Sequence, residues 1–295
     1  LIPPPGPHGG DGAALAGALG IDPNAVLDLS QSLNPCAPDI AALAGAHLSS
    51  LRRYPDELDA TRVLAEHLGT DPGRVLLTNG GSEAIALVAA AIGGRVAAEP
   101  EFSLHPRGTG PRWASNPNNP TGLLADPTAA ADVWDEAFYP LATGTWTRGD
   151  DDAIVVGSLT KVFACPGLRV GYVIADDVDR FTARQPAWPV NGLAVTLVPQ
   201  LLEHAELERW RKEIAALRGD LVALLRRYGI DTEPSDAPWV LASRSGLRDR
   251  LAPHGIAVRD CASFGLASHT RIAVPDHAGL ERLDRALDAT NDEVG

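Results

Sequence analysis

An α/β fold is what this sequence predicts, on three observations. Strand-like apolar segments at 75–78, 95–98, 153–157 and 170–175 are interspersed with helix-like stretches, as a sheet flanked by helices requires. A glycine-rich turn, Thr78-Asn79-Gly80-Gly81-Ser82-Glu83-Ala84, separates the strand-like Val75-Leu76-Leu77 from an apolar helix over 83–92. The 295 residues are enough for one large domain and a smaller second one.

The 78–84 turn offers a phosphate the free backbone N–H groups and positive dipole end of a helix start. Its glycines do not match the dinucleotide fingerprint, so by itself the turn is a weak signal. Asn116-Pro117-Asn118-Asn119-Pro120-Thr121-Gly122 is too rich in Pro and Asn for a helix or central strand. It is either a plain turn or a rigid loop that holds the Asn119 amide as a donor. Asp135, in Asp132-Val133-Trp134-Asp135-Glu136-Ala137-Phe138, closes a short apolar segment. A carboxylate there is either surface charge or a group that keeps a pyridine nitrogen protonated.

The run Ala153-Ile154-Val155-Val156-Gly157 leads into Ser158-Leu159-Thr160-Lys161, and Pro166-Gly167-Leu168-Arg169 follows. A lysine that attacks an aldehyde must lose its proton near neutral pH, and desolvation lowers its pKa to allow this. The hydroxyl and the guanidinium can hold a phosphate. Alone, these letters also describe a solvated lysine after a strand. In this order the four motifs support one another and point to a pyridoxal phosphate (PLP) site with Lys161 as the Schiff-base lysine.

Further on, Leu207, Trp210, Ile214, Leu217, Leu221 and Leu224 are spaced three and four apart, which predicts one helix over roughly 200–228 with Gly229 as its stop. This helix bridges to a small domain with strands at 238–242, 256–259 and 271–274. Leu280, Leu283 and Leu287 form the inner face of its last helix. Trp188, in the Pro-rich 186–191 turn, either lines a substrate pocket or packs.

On these motifs the chain resembles fold-type I PLP enzymes of the aminotransferase class I/II superfamily. Within it the chain is most similar to the neighbouring threonine-phosphate decarboxylases and histidinol-phosphate aminotransferases. The likeness runs from His8 to about Leu287. It implies the aspartate aminotransferase-like fold, with a mainly parallel sheet flanked by helices in a large PLP-binding domain over 36–198. An N-terminal arm over 1–35 would join the small α/β domain, which with the bridging helix spans 199–295.

The resemblance also implies roles. Lys161 would be the Schiff-base lysine and proton shuttle, Asp135 the partner of the pyridine nitrogen, and Asn119 a donor to the ring's phenolic oxygen. Phe102 would stack on the ring, while Gly81, Ser82, Ser158 and Arg169 would hold the phosphate. Tyr54 would reach a neighbouring subunit's cofactor phosphate, which makes the protein a homodimer with shared sites. Arg271 would grip the substrate carboxylate through a bidentate fork. His8 in His8-Gly9-Gly10-Asp11, Asn34 in Ser30-Gln31-Ser32-Leu33-Asn34-Pro35, and Arg259 match substrate-binding positions of the decarboxylase. Phe138, where aminotransferases more often have Tyr, leans the same way.

The implied activity is decarboxylation of O-phospho-L-threonine, or a close phosphoamino acid, to a phosphorylated amino alcohol of the cobalamin-biosynthesis type. The alternatives are amino transfer between histidinol phosphate and 2-oxoglutarate, or PLP binding without turnover. The sequence departs from the family at Ser103–Gly110, a short turn-rich connection where relatives place a strand and a helix. The interval from Asn119 to Asp135 is also trimmed. A compacted large domain follows, and Phe102 is the assignment most exposed to the change.

Composition narrows the partners. A net charge of -13 argues against nucleic acid, whose phosphates need a basic face. Hydrophobic residues at 45% and charged residues at 21% describe an ordinary globular chain. No apolar run reaches the ~20 residues of a membrane span, and the start lacks the pattern of a signal peptide. Cys36, Cys165 and Cys261 are not spaced as metal pairs, so no metal is expected; they read as reduced thiols of a cytoplasmic protein.

Overall fold

The structure, a computed structural model, describes residues 2–6, 8–150 and 152–292. The chain forms two compact units, one of Leu1–Cys36, Asn119–Leu123 and Lys212–Gly295, the other of Ala37–Asn118 and Leu124–Arg211. The division therefore falls within the long helix Leu207–Arg227 rather than before it, and part of the Asn-rich loop belongs with the termini. In chain order the strands are β1 (Leu27–Asp28), β2 (Val75–Thr78), β3 (Arg95–Val96), β4 (Arg112–Ser115), β5 (Val133–Asp135), β6 (Ile154–Ser158), β7 (Gly171–Ile174), β8 (Trp239–Ala242), β9 (Ile256–Ala257), β10 (Arg259–Asp260) and β11 (Thr270–Ala273).

The 37–211 unit is built on one sheet of order β2-β7-β6-β5-β4-β3. Strands β3 to β6 run parallel, and β7 is antiparallel to both of its neighbours. β2 and β7 are buried along their whole length and β6 nearly so, which is why they read as continuous apolar runs rather than as alternation. The helix Gly80–Ile92 supplies Ala84, Ile85 and Val88 to a core shared with Trp113, Val133, Val156, Val173 and Phe181. Strand β4 has no apolar run to announce it; its letters are Arg-Trp-Ala-Ser, and Trp113 alone anchors it in the core.

Parallel neighbours need long crossovers, and these usually contain a helix. Among the described residues none is present between β3 and β4 or between β4 and β5, and only Tyr139–Thr143 lies between β5 and β6. Backbone groups that a helix would have paired are met instead by arginines. Arg107 donates to the carbonyls of Glu101, Phe102, Ser103 and His105, at 2.7 to 3.2 Å. Arg148 donates to those of Pro127 and Ala129, at 2.8 and 2.7 Å, and lies 4.8 Å over the Trp134 ring.

The other unit holds the parallel pair β1-β9 and the antiparallel sheet β10-β11-β8. Leu217, Leu221, Leu224, Val240, Ile272, Leu283 and Leu287 are among its core residues. The single helix expected over 200–228 is two, Gly192–Glu203 and Leu207–Arg227. The break is local. The His204 N–H is shared between the Gln200 and Leu201 carbonyls, and His204 Nδ1 lies 2.9 Å from the Gln200 carbonyl. Gly229, at φ 65, ends the second helix as expected.

Candidate active site

In the 37–211 unit, strand register gathers the cradle. Gly171 on β7 pairs with Thr78 on one side and Ser158 on the other, so the carboxyl ends of β2 and β6 lie on either side of the start of β7. Ligands of open α/β sheets bind at such carboxyl ends. A Cβ on Gly171 would lie 2.6 Å from the Gly81 nitrogen, and one on Gly81 would lie 3.4 Å from Ser158 Cβ. Gly80 has φ +75, and a Cβ there would lie 2.5 Å from Arg169 Nη2. Arg169 itself sits at φ 57 and donates to the Asn79 and Pro166 carbonyls at 3.4 and 3.3 Å. Gly81, Ser82, Ser158 and Arg169 thus meet at the N-terminus of a 13-residue helix, whose first N–H groups lack intrahelical partners. Thr160 joins them through a 2.7 Å hydrogen bond between its hydroxyl and that of Ser158.

Ser158 is also the N-cap of the short helix Leu159–Val162, which carries Lys161. Lys161 is half-buried, and its Nζ lies 5.8 Å from the centre of the Phe138 ring. Asp135 ends β5 and is buried. Its Oδ1 accepts from the Ala137 N–H at 3.0 Å, and its Oδ2 lies 3.0 Å from His105 Nε2. A carboxylate can only accept, so that nitrogen of His105 donates. The His105 ring packs edge-on against Phe102, with centroids 5.7 Å apart. The segment after Phe102 is short, as expected, yet it delivers His105 to the back of Asp135. Sequence reasoning missed this histidine because it sits in a turn-rich stretch with no periodicity; closeness to Phe102 was the only signal. Neighbouring Glu136 is buried, and burial pushes its carboxyl up to about 7 against bonds from the Thr147 hydroxyl and the Arg148 N–H.

The other unit brings together a second group. Arg259 and Arg271 are partners on one rung of β10-β11, and both are buried. Arg271 donates to Asn119 Oδ1 at 2.6 Å and to the Ser30 carbonyl at 3.3 Å, and it lies 5.1 Å over the Trp239 ring. Among the described residues no carboxylate pairs with it. Burial, reinforced by Arg259, lowers its pKa to about 10. Arg259 donates to the Gly6 carbonyl at 2.7 Å and to Ser263 Oγ at 2.9 Å. The N-terminal arm lies against the same loop, with the Gly10 N–H donating to Ser30 Oγ at 2.8 Å. His8, in that arm, is exposed. Asn34 is buried, and its Oδ1 accepts from the Cys36 N–H at 2.9 Å. Asn119 is held in place by two further contacts of its segment: Trp239 Nε1 donates to the Pro120 carbonyl at 2.9 Å, and the Asp236 N–H to that of Gly122 at 2.8 Å.

Tyr54 is 77% exposed, and its ring stacks on that of the exposed Trp188 at 4.4 Å. Among the described residues no cluster of three His, Cys, Asp or Glu could hold a metal ion, and no helix is long and apolar enough to cross a membrane.

A sequence profile described as aminotransferase class I and II matches residues 113–289. The chain belongs to this family. Similar relatives include histidinol-phosphate aminotransferase 1 of Dechloromonas aromatica, 28% identical, with 92% of this chain and 93% of the relative covered. Threonine-phosphate decarboxylase of Salmonella typhimurium is 29% identical, with 95% of each covered. The fold matches that of Sinorhizobium meliloti histidinol-phosphate aminotransferase, solved in complex with pyridoxal-5'-phosphate, with a TM-score of 0.81 at 17% identity over 100% of this chain and 96% of that one. The fold is aspartate aminotransferase-like. The Dechloromonas alignment runs over 347 positions, more than the 295 residues here, so that family member carries segments this chain lacks.

The residues present fit pyridoxal phosphate. Gly80 and Gly171, where a Cβ would collide with Arg169 and with the Gly80–Gly81 backbone, let the turn, Ser158 and Arg169 approach closely, so that backbone N–H, hydroxyl and guanidinium donors gather at one place. A buried carboxylate, Asp135, ends β5, and a half-buried lysine, Lys161, lies on the short helix that follows the adjacent strand β6.

Proposed function

We propose that this PLP-dependent enzyme removes carbon dioxide from O-phospho-L-threonine, or a close phosphoamino acid. The product is a phosphorylated amino alcohol of the kind used in cobalamin biosynthesis. The observation that carries the reading is the Arg259–Arg271 rung. Two buried guanidinium groups on one rung, with Asp11 and Asp260 near Arg259, make a cationic pair suited to anionic ligand groups. A phosphoamino acid brings two anionic groups, a phosphate for Arg259 with His8 and Asn34, and a carboxylate for the Arg271 fork.

When bound, PLP supplies an electron sink for the bonding pair left behind as carbon dioxide departs. Asp135 keeps a proton on the ring nitrogen. Lys161 anchors the cofactor and returns a proton to the carbon that lost its carboxylate. Asn119, whose Oδ1 accepts from Arg271, would offer its amide N–H to the phenolic oxygen. Gly81, Ser82, Ser158 and Arg169 hold the phosphate, and Phe102 covers the ring. Tyr54 reaches the phosphate of a second subunit in a cytoplasmic homodimer.

A second reading is amino transfer from histidinol phosphate to 2-oxoglutarate, favoured by the name of the Dechloromonas relative. The same arginine pair would there hold a dicarboxylate. A third is PLP binding without turnover. Carbon dioxide release from O-phospho-L-threonine by PLP-loaded protein, without any oxo acid, decides among them. Catalytic release is the expected result. Absence of release combined with 2-oxoglutarate-dependent amino transfer would install the second reading, and absence of both the third.

A further inference from the structure

Behind Asp135 and His105 lies another buried carboxylate, Glu101, 3% exposed, to which the chemistry above gives no task. Its oxygens are heavily engaged. Oε2 accepts from the Ser115 N–H at 2.8 Å, while Oε1 accepts from the Ser115 hydroxyl and from the Phe102 N–H. Oε1 also lies 3.6 Å from His105 Nδ1, within ion-pair range but longer than a hydrogen bond. His105 is completely enclosed; Phe102 packs on it edge-on and Trp113 lies 5.5 Å away, centre to centre. Its Nδ1 has no hydrogen-bond partner among the described residues.

This geometry is a proton-counting problem. His105 Nε2 already donates to Asp135. If Nδ1 were bare and Glu101 ionised, two lone pairs would face each other in a buried space, so a proton must lie between them. Burial raises the Glu101 carboxyl, opposed by His105 and by the Ser115 and Phe102 donors; because those donors already fill Oε1, the proton between the pair is placed on the ring. The other charged groups nearby are accounted for. Arg107 is spent on the His105 carbonyl and, at 3.0 Å, on Glu99. Glu136, beside Asp135, bonds the Arg148 N–H, and the Tyr172 hydroxyl, pushed up by burial, stays neutral.

We infer that Glu101 is a positioning residue that keeps His105 protonated on both nitrogens, forming a buried chain Glu101–His105–Asp135. Its two carboxylates and one imidazolium leave one net negative charge, which the protonated ring nitrogen of the cofactor would neutralise. Glu101 therefore acts through His105 to fix the Asp135 carboxylate and to set how strongly it holds that proton. The inference rests on the PLP reading for its purpose, but its core is a property of the protein alone.

The test is NMR of protein labelled with 15N-histidine, with and without PLP, at pH 7 to 8. Wild-type His105 should show two protonated ring nitrogens. In Glu101→Gln, Nδ1 should move to the unprotonated position, and the pH midpoint of the bound cofactor's absorbance should shift by about one unit. Glu101→Asp, which retains the charge, should restore the protonated ring at least in part. A bare ring nitrogen in the wild type, or an unchanged ring in Glu101→Gln, would overturn the inference. The wild-type spectrum decides even if the variant does not fold. Failure of the protein to bind PLP would sink the functional reading instead, while the cofactor-free spectrum still judges Glu101.

Discussion

Gly80 combines a backbone requirement with a site requirement. At φ +75 an L side chain is strained, and its Cβ would sit 2.5 Å from the Arg169 guanidinium. Gly80→Ala should therefore cost about 1–2 kcal/mol of stability and weaken PLP binding by about tenfold; thermal melts and cofactor titration measure the two losses separately. Arg271 makes a different demand. Arg271→Lys keeps a charge but loses the planar fork, so substrate affinity should fall by about 10- to 100-fold. PLP affinity should fall by less in the same preparation, through the loosened Asn119 alone, and an equal loss of cofactor would mean that the arginine's main task is not the substrate. Glu136 ties stability to pH. Its carboxyl is raised from 4.5 to about 7, so its neutral form is the one the fold favours. That contribution is complete below pH 4.5 and is lost as pH rises through about 7. Across this window the wild type should lose on the order of 3 kcal/mol relative to Glu136→Gln, read from urea midpoints at a series of pH values.

The two helix-free crossovers are the elements that set this chain apart. Arg107 ties down four carbonyls of the 101–105 stretch that carries Phe102 and His105, and it pairs with Glu99. Arg107→Gln should speed amide exchange across 99–107 by about tenfold, because local opening no longer breaks these bonds. Exchange in β6 and β7 should not change. A uniform increase over the whole sheet would mean that the clamp supports the fold globally. The strands at 75–78, 153–157 and 170–175 were legible because burial on both faces leaves continuous apolar runs. Strand β4 was not, since a four-residue strand with one large apolar side chain has no period to read. The break at 204–206 was hidden for a related reason: the apolar spacing that announces the helix begins only at Leu207, and the interruption before it shows in backbone hydrogen bonds.

The whole molecule exposes Leu48, Leu51, Tyr54 and Leu58 in one short stretch, and Trp188 stacks on Tyr54. Exposed apolar clusters of this kind mark interfaces. Leu58→Glu combined with Trp188→Glu should halve the sedimentation mass and lower PLP affinity, whereas Tyr54→Phe should lower affinity with the mass intact. A double variant that keeps the wild-type mass would place the subunit contact elsewhere. By itself the sequence determined the α/β class and singled out the cradle turn, Lys161, Asp135 and Arg169 as candidates, because each is announced by a local pattern within a few residues of a strand end. Only the tertiary structure decided that Arg259 faces Arg271, that Asn119 is held by Arg271, and that His105 and Glu101 stand behind Asp135. Those pairings join residues 12 positions apart for the two arginines, 30 for His105 and Asp135, and 152 for Asn119 and Arg271. Strand register and the path of helix-free loops create them, and neither leaves a mark on the local order of amino acids.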